Sequence, residues 1–330
     1  MKKKSIGLLL ASAYLFHARS RQKSLKACLF EDSLRLSQIA RLERNPKVTK
    51  AFYHWQRSLN EQVTLPKHLR HLFPLQEMTQ FPTMYRMSNS VIAPTKKAVL
   101  YLHGGGFTLN LAYSQLDFSY KLIEDLSFAT DYFIPVYPLA PNKSFADIYN
   151  HCYAAYQEIL QHYDPEDVIL LGDSAGGTLV LNVLQNLATD FPERLPKAAV
   201  LISPWLDGHL DIPVAKSYQK KDKMIGMNYL QLIAQEIDDT ANHSTLSLNC
   251  LSFDYQKFPP LFFVGGTHEV FCPSYHQFLK QLGPRPQDTC RLVPGMQHVF
   301  AMKQYLPEGR QARKLSLIHI SEPTRPERIS

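Results

Sequence analysis

The pattern of apolar and polar residues changes character near residue 97. Before about residue 75, apolar positions recur at helical spacing, for example around Phe52–Leu59, and no long β-branched run occurs. After Lys97, short continuous apolar runs alternate with longer amphipathic stretches. Continuous apolar runs are typical of strands that are buried on both faces. The second part of the chain is therefore predicted to alternate strands with helices.

The predicted strands and helices give the fold class. The strands are Met84–Met87, Ala98–Leu102, Tyr132–Tyr137, Val168–Leu171, Ala198–Ser203, Leu261–Val264 and Cys290–Val293, and the helices include Ser114–Ser127, Phe145–His162 and Gly176–Ala188. This alternation predicts an α/β fold with a mostly parallel sheet flanked by helices. Residues 208–255 interrupt it and are predicted to be a mostly helical insertion. Together with residues 1–75 they are expected to cap the strand ends, where such folds bind ligands.

Charge changes the picture only at the N-terminus. Seven Lys and Arg residues lie within residues 1–26, which contain no acid, and they equal the whole formal net charge of +7. We therefore predict a basic N-terminal extension over 1–26, a charged linker or solvated helix, and no nucleic-acid-binding face. The apolar run Ile6–Phe16 is too short to span a bilayer. It fits either a signal-peptide core or an amphipathic helix that lies on the body of the protein or on an anionic membrane surface. A cytoplasmic location is predicted, with membrane association or export as the alternatives.

The spacing of the cysteines is consistent with the predicted cytoplasmic location. The five cysteines are scattered and contain no CxxC pair. This pattern argues against a disulfide scaffold and against a zinc site, and it is compatible with a reducing compartment. No metal ion is expected.

Gly172-Asp173-Ser174-Ala175-Gly176-Gly177 is the strongest candidate for chemistry. It follows a predicted strand directly and precedes a predicted helix. A sharp strand-to-helix turn crowds the positions two before and two after its centre, so both must be small. An ordinary glycine-rich turn is the alternative, but the strand–turn–helix context favours Ser174 as a nucleophile.

A second glycine-rich run, His103–Phe107, follows the strand before the first crossover helix. Its glycines allow backbone N–H groups to approach a developing oxyanion. A phosphate-binding loop is disfavoured because neither GxGxxG spacing nor a following Lys-Ser/Thr occurs. We predict Gly105, Gly106 and Ala175 as oxyanion donors and expect His103 to brace the loop.

The general base and its orienting acid are expected late in the chain, in the order serine, acid, histidine. The candidate bases are His276, His298 and His319. His298 is preferred because it follows a predicted strand through a short loop, where its side chain can reach over the sheet edge. Glu269 and Asp207 both follow strands, and Glu269 is preferred because its strand immediately precedes that of the histidine.

Taken together, these motifs resemble the hormone-sensitive-lipase-like branch of the α/β-hydrolase esterases. The matching motifs are HGGGF at 103–107, YPLAP at 137–141, GDSAGG at 172–177, SPW at 203–205, GGTHE at 265–269 and the segment His298-Val299-Phe300. The resemblance implies an eight-stranded sheet, a helical cap, no cofactor, hydrolysis of carboxylic esters and a possible homodimer. The chain departs from the family in carrying Glu269 where Asp is more common, Pro138 where Arg is common, and no acid around Cys272–Ser274.

The resulting hypothesis is a serine carboxylic-ester hydrolase with a Ser174–His298–Glu269 triad that acts on small to medium acyl esters. An amide or formamide hydrolase with the same triad and a non-catalytic ligand-binding protein are the alternatives. Activity is expected to fall below about pH 6.5 as His298 becomes protonated. Aromatic side chains are expected to wall an acyl pocket, namely Phe52, Tyr53, Trp55, Phe107 and Trp205.

The predicted organisation has four parts. They are the extension 1–26, an N-terminal cap segment 27–75, a catalytic domain 76–315 with the cap insertion 208–255, and a tail 316–330. The tail resembles the translation of a sequencing adapter and is predicted to be non-native.

Overall fold

The computed structural model describes residues 23–35, 45–61, 63–81, 83–90, 95, 97–212, 215–239 and 246–321. Within these residues, eight strands form one sheet. They are β1 (Gln76–Glu77), β2 (Met84–Ser88), β3 (Lys97–Leu102), β4 (Thr130–Pro135), β5 (Val168–Asp173), β6 (Ala198–Ile202), β7 (Leu261–Gly266) and β8 (Thr289–Val293). Their order in the sheet is β1-β2-β4-β3-β5-β6-β7-β8.

The sheet is parallel from β4 to β8, and only the edge made by β1 and β2 is antiparallel to its neighbours. Alternate residues of β5 belong to two different hydrophobic clusters, with Val168 and Leu170 in one and Ile169 and Leu171 in the other. One cluster therefore lies on each face of the sheet, which explains the continuous apolar runs. The predicted mostly parallel, eight-stranded α/β-hydrolase sheet is confirmed.

Helices cover both faces. They are α1 (Leu25–Arg35), α2 (Pro46–Leu59), α3 (Lys67–Arg70), α4 (Tyr113–Glu124), α5 (Phe145–Ile159), α6 (Ala175–Asp190), α7 (Ala215–Tyr218), α8 (Met227–Ile237), α9 (Cys272–Leu282) and α10 (Pro307–Ser321). Local chemistry accounts for where some of them begin. Ser144 caps α5 by accepting from the Asp147 N–H at 3.2 Å, and Asn45 caps α2 in the same way.

The N-terminal and inserted segments meet above the sheet. Helix α8 packs against α2, with the rings of Phe52 and Tyr229 5.7 Å apart and the Tyr229 hydroxyl donating to Gln56. The insertion is less helical than predicted. In the described part of 208–255, α-helix covers only α7 and α8, and short 3₁₀ turns lie at Cys250–Ser252 and Tyr255–Lys257.

The two ends of the described chain differ from expectation. The predicted basic extension reaches residue 26, yet Lys23 is buried, and its ammonium contacts Glu31 and the Gly295 carbonyl rather than solvent. Helix α10 continues through Ser321, so the predicted tail overlaps it, with Ser316 and His319 buried. Residues 1–22 and 322–330 lie outside the described residues, and the non-native origin of the tail stays a prediction. Among the described helices, none combines the length and apolar character needed to cross a membrane.

Candidate active site

The topology places the site at the carboxyl ends of β3 and β5, which are neighbours in the sheet. The chain leaves β3 toward β4 on one side and leaves β5 toward β6 on the other, so the two following loops diverge and open a crevice. Parallel α/β sheets bind ligands at such switch points. The loop after β3 carries His103–Phe107, and the turn after β5 carries Ser174.

Ser174 lies on a strained turn between β5 and α6. Its φ of 53° and ψ of −121° are unusual for a residue with a side chain. Hydrogen bonds hold the backbone on both sides, from the Ser174 N–H to the Ile202 carbonyl at 2.9 Å and from the Trp205 N–H to the Ser174 carbonyl at 3.0 Å. A Cβ atom at Gly176 would lie 1.9 Å from the Leu102 carbonyl oxygen, so only glycine permits α6 to begin this close to β3.

A hydrogen-bonded line joins the three side chains that were predicted to converge. The His298 Nε2 atom is 2.9 Å from the Ser174 hydroxyl, and the His298 Nδ1 atom is 2.8 Å from Glu269 Oε2. All three side chains are buried, with Glu269 fully inaccessible and Ser174 only 7% exposed. Serine, imidazole and carboxylate are thus arranged so that a proton on the hydroxyl can pass to the imidazole.

Glu269 is held in place by several donors. Its Oε1 atom accepts from the Ser203 hydroxyl at 2.8 Å and from the Gly266 N–H, and its Oε2 atom accepts from the Tyr275 hydroxyl at 2.7 Å. Asp207, the other candidate acid, faces its own loop and accepts from the Ile212 N–H at 3.3 Å. The geometry therefore associates Glu269, and not Asp207, with His298.

The pKa of His298 reflects opposing effects. Burial lowers it, but the hydrogen bond and negative charge of Glu269, together with the charges of Asp222 and Asp173, outweigh burial and raise the pKa above 6.5. The imidazolium is thus stabilised where a general base must hold a proton.

The loop after β3 is anchored to the serine turn by Asp173. Its carboxylate accepts from the Gly104 N–H at 2.7 Å, from the Tyr101 hydroxyl at 2.5 Å and from the Gln115 amide. Beyond this anchor the backbone turns sharply, with a φ of 125° at Gly105 that favours glycine.

The predicted oxyanion donors have unoccupied N–H groups. Within the described part of the chain, the N–H groups of Gly105, Gly106 and Ala175 donate to no protein acceptor. Gly105 and Gly106 line the same cavity as Ser174, and Ala175 is the first residue of α6. These groups are free to donate to a substrate oxygen.

His103 and the two other candidate bases, His276 and His319, have surroundings different from those of His298. His103 stacks on Tyr137 with ring centroids 4.2 Å apart, and burial lowers its pKa to about 4, so it is a neutral part of the loop. His276 is exposed and contacts Cys272, and His319 lies against Phe262 near the Pro260 carbonyl.

The sequence reasoning missed Asp222, which the insertion supplies. This residue is 3% exposed and accepts from the Val270 N–H at 3.0 Å, next to Glu269, and from the Met224 and Ile225 N–H groups. Burial raises its pKa to about 6, although His298 pulls in the opposite direction. The sequence carries no local signal for this contact, because Asp222 and Val270 are separated by 48 residues along the chain.

A cavity of about 340 Å³ opens onto Ser174. Residues of α2, of α8 and of the loop after β3 form much of its wall, including Phe52, Leu109, Leu230 and Ile233. Of the aromatic residues predicted to wall an acyl pocket, Phe52 lines this cavity. The other four do not line this cavity, since Tyr53, Phe107 and Trp205 are buried in the core and Trp55 is 57% exposed. In the part of the chain that is described, no group of three or more His, Cys, Asp or Glu residues is arranged to hold a metal ion.

Comparisons with known proteins show the family of the chain. The family model described as alpha/beta hydrolase fold matches residues 99–302. An esterase of Acinetobacter venetianus is 27% identical over 226 residues, which cover 67% of this chain and 73% of the relative. An acetyl-hydrolase of Streptomyces hygroscopicus is 38% identical over 221 residues, which cover 66% and 72%. A crystal structure of an esterase from the bacterial hormone-sensitive lipase family superposes with a TM-score of 0.67 at 21% identity, covering 88% of this chain and 98% of the other. The chain therefore belongs to the α/β-hydrolase fold family, and its esterase and acetyl-hydrolase relatives support an ester-hydrolysing enzyme.

Proposed function

We propose that the protein is a serine carboxylic-ester hydrolase in which Ser174 is the nucleophile, His298 the general base and Glu269 the orienting acid. The observation that carries this proposal is the continuous line of contacts from the Ser174 hydroxyl through His298 to Glu269. Each contact has the length of a normal hydrogen bond, and the line ends in a cavity large enough for a small ester.

Acylation begins when neutral His298 accepts the Ser174 proton at Nε2 while the serine oxygen attacks the ester carbonyl. The carbonyl oxygen becomes an oxyanion, to which the Gly105, Gly106 and Ala175 N–H groups donate. Each such donor contributes about 3–4 kcal/mol to lowering the barrier. Glu269 accepts from the Nδ1–H of His298, which keeps Nε2 available as the acceptor and stabilises the imidazolium.

The tetrahedral intermediate collapses when His298 returns its proton to the leaving alcohol. A water molecule then attacks the acyl-enzyme, His298 removes a proton from that water, and the acid is released as Ser174 regains its proton. This cycle uses no cofactor.

The size of the cavity supports an ester substrate whose acyl or alcohol group is small to medium. Its wall brings together α2 and α8, which we propose act as a cap formed by segments 27–75 and 208–255 over a catalytic domain spanning 76–315. Burial of apolar substrate surface against Phe52, Leu230 and Ile233 contributes about 25 cal/mol per Å².

A covalent probe and a pair of substrates test this proposal. The wild-type protein is expected to hydrolyse 4-nitrophenyl butyrate and to be labelled by a fluorophosphonate at Ser174, as read by peptide mass spectrometry. Because the anilide of the same acid has a poorer leaving group, butyryl-4-nitroanilide is expected to be cleaved far more slowly. Labelling at another serine, or faster cleavage of the anilide, would contradict the proposal.

The acid limb of the pH profile is expected above the ordinary histidine value, not at pH 6.5 as the sequence alone predicts. Because the pKa of His298 is raised, its neutral form is lost as the pH falls through a value above 6.5, and kcat/KM of the free enzyme declines with it. The variant D222N removes a negative charge that raises this pKa, so its limb is expected at lower pH. The control D190N changes an exposed acid instead. Coincident acid limbs for wild type and D222N between pH 5 and 9 would refute the role of Asp222.

A further inference from the structure

A lysine forms part of the wall of the cavity that contains Ser174. Lys303 follows the 3₁₀ turn Phe300–Met302, which itself follows His298 closely in the chain. Its ammonium donates to the Ser114 hydroxyl at 3.1 Å, in the first turn of α4. The proposed mechanism gives this side chain no role.

The Lys303 ammonium has three N–H donors, and the hydrogen bond to the Ser114 hydroxyl, a neutral acceptor, uses one of them. Among the described residues, no carboxylate lies close enough to Lys303 to form an ion pair. Asp173 acts on Lys303 only as a nearby charge, because its own oxygens accept from Tyr101, Gly104 and Gln115.

Neighbouring polar groups on the cavity wall are already satisfied. The Asn110 amide donates to the Thr64 carbonyl and accepts from the Leu111 N–H. The Gln115 side chain donates to Asp173 and accepts from the Ala112 N–H. The first turn of α4 carries no acid. A cation without an ion-pair partner in an apolar cavity is costly, and burial lowers the pKa of Lys303 although the nearby negative charge of Asp173 opposes this shift. An anionic group on a bound molecule would supply the missing partner.

We propose that Lys303 is a specificity-determining residue that binds a carboxylate carried by the ester substrate. This inference rests on the proposed function, since it assigns the substrate class of the same cavity. The carboxylate would accept a charge-assisted hydrogen bond from the ammonium while the ester carbonyl lies at Ser174. The preferred substrates are then half-esters of dicarboxylic acids, in which the acyl portion carries the charge, or hydroxy acids acylated on their hydroxyl group, in which the alcohol portion carries it.

Two matched substrate pairs distinguish a carboxylate on the acyl portion of the substrate from one on the alcohol portion. For the acyl side the pair is mono-4-nitrophenyl adipate and 4-nitrophenyl hexanoate, and for the alcohol side it is 4-butyryloxybenzoate and 4-butyryloxybenzamide. The readout is the ratio of kcat/KM for the charged ester to that for the neutral ester. In K303M this ratio is expected to fall about ten- to hundredfold in one pair, as for the loss of a hydrogen bond to a charged group. The variant K303R is expected to retain most of the ratio, and K280M, which removes an exposed lysine, is the control.

Binding measured without turnover keeps the inference separate from the proposed function. Calorimetry with monoethyl adipate and, separately, with 4-butyryloxybenzoate compares S174A with the S174A/K303M double variant, and the double variant is expected to bind one of these ligands more weakly by a similar factor. Equal dissociation constants for both ligands, or unchanged ratios in both substrate pairs, would overturn the role of Lys303. Lys303-dependent binding by a wild-type protein that hydrolyses no ester would support the role of Lys303 and overturn the proposed function.

Discussion

Turnover of 4-nitrophenyl butyrate is expected to fall about 10⁶-fold when Ser174 is replaced by alanine, the scale seen when a triad nucleophile is removed. The S174A variant lacks the oxygen that forms the acyl-enzyme, so the remaining groups can only assist direct attack by water. The N–H groups of Gly105, Gly106 and Ala175 stay in place, and some acceleration over water is therefore expected to remain.

The fold of S174A is expected to be intact. Alanine keeps the Cβ atom, so the positive φ at this position persists, and the backbone hydrogen bonds to Ile202 and Trp205 do not involve the hydroxyl. Circular dichroism and thermal melting check this point. The matched control S252A removes a hydroxyl that donates to the Asn249 carbonyl at an exposed site. Substantial turnover in a well-folded S174A protein would eliminate Ser174 as the nucleophile.

The parts of the fold that sequence reasoning finds are those set by local sterics and by burial. Ser174 could be located because the backbone at Gly176 approaches Leu102 too closely for any side chain, which forces a recognisable spacing. The central strands could be located because both of their faces are buried. Their ends are less visible, and β5 continues past the predicted Leu171 to Asp173. Strand β1 has only two residues, both exposed, and therefore shows no alternation of apolar and polar positions.

What the sequence does not show depends on contacts between distant segments. Lys23 belongs to a run of basic residues that predicts a solvated arm, yet it is buried because Glu31 and the Gly295 carbonyl accept from it. The proximity of Asp222 to the Glu269 loop likewise arises only when the insertion folds back over the sheet. Gly295 lies 272 residues from Lys23, and Val270 lies 48 residues from Asp222, so no local sequence pattern reveals these contacts.

Asp222 also connects the proposed cap to the proposed triad. One of its oxygens accepts from Val270, adjacent to Glu269, and the other accepts from Met224 and Ile225, which line the cavity. A displacement of this segment would therefore alter the cavity wall and remove a negative charge from the surroundings of His298. Substrate binding against the cap and the basicity of His298 are expected to be coupled through this one carboxylate.

The choice between Glu269 and Asp207 gives the second large expected effect. The variant E269Q keeps the size of the side chain, so Ser203 and Gly266 can still donate to its amide oxygen. It removes the negative charge that stabilises the imidazolium, and its NH₂ group would face His298 Nδ1 and favour the tautomer that cannot accept at Nε2. A fall in kcat of about 10⁴-fold is expected, as for an acid-to-amide change in another serine hydrolase triad.

The matched variant D207N is expected to have a much smaller effect on kcat. Its amide oxygen can still accept from the Ile212 N–H, and the contact lies within its own loop. The pH profile adds a second readout. Glu269 raises the pKa of His298, so the acid limb of E269Q is expected at lower pH, whereas that of D207N is expected to coincide with wild type. A larger loss of kcat in D207N than in E269Q would reassign the orienting acid, because only the residue that fixes the tautomer of His298 can produce both changes together.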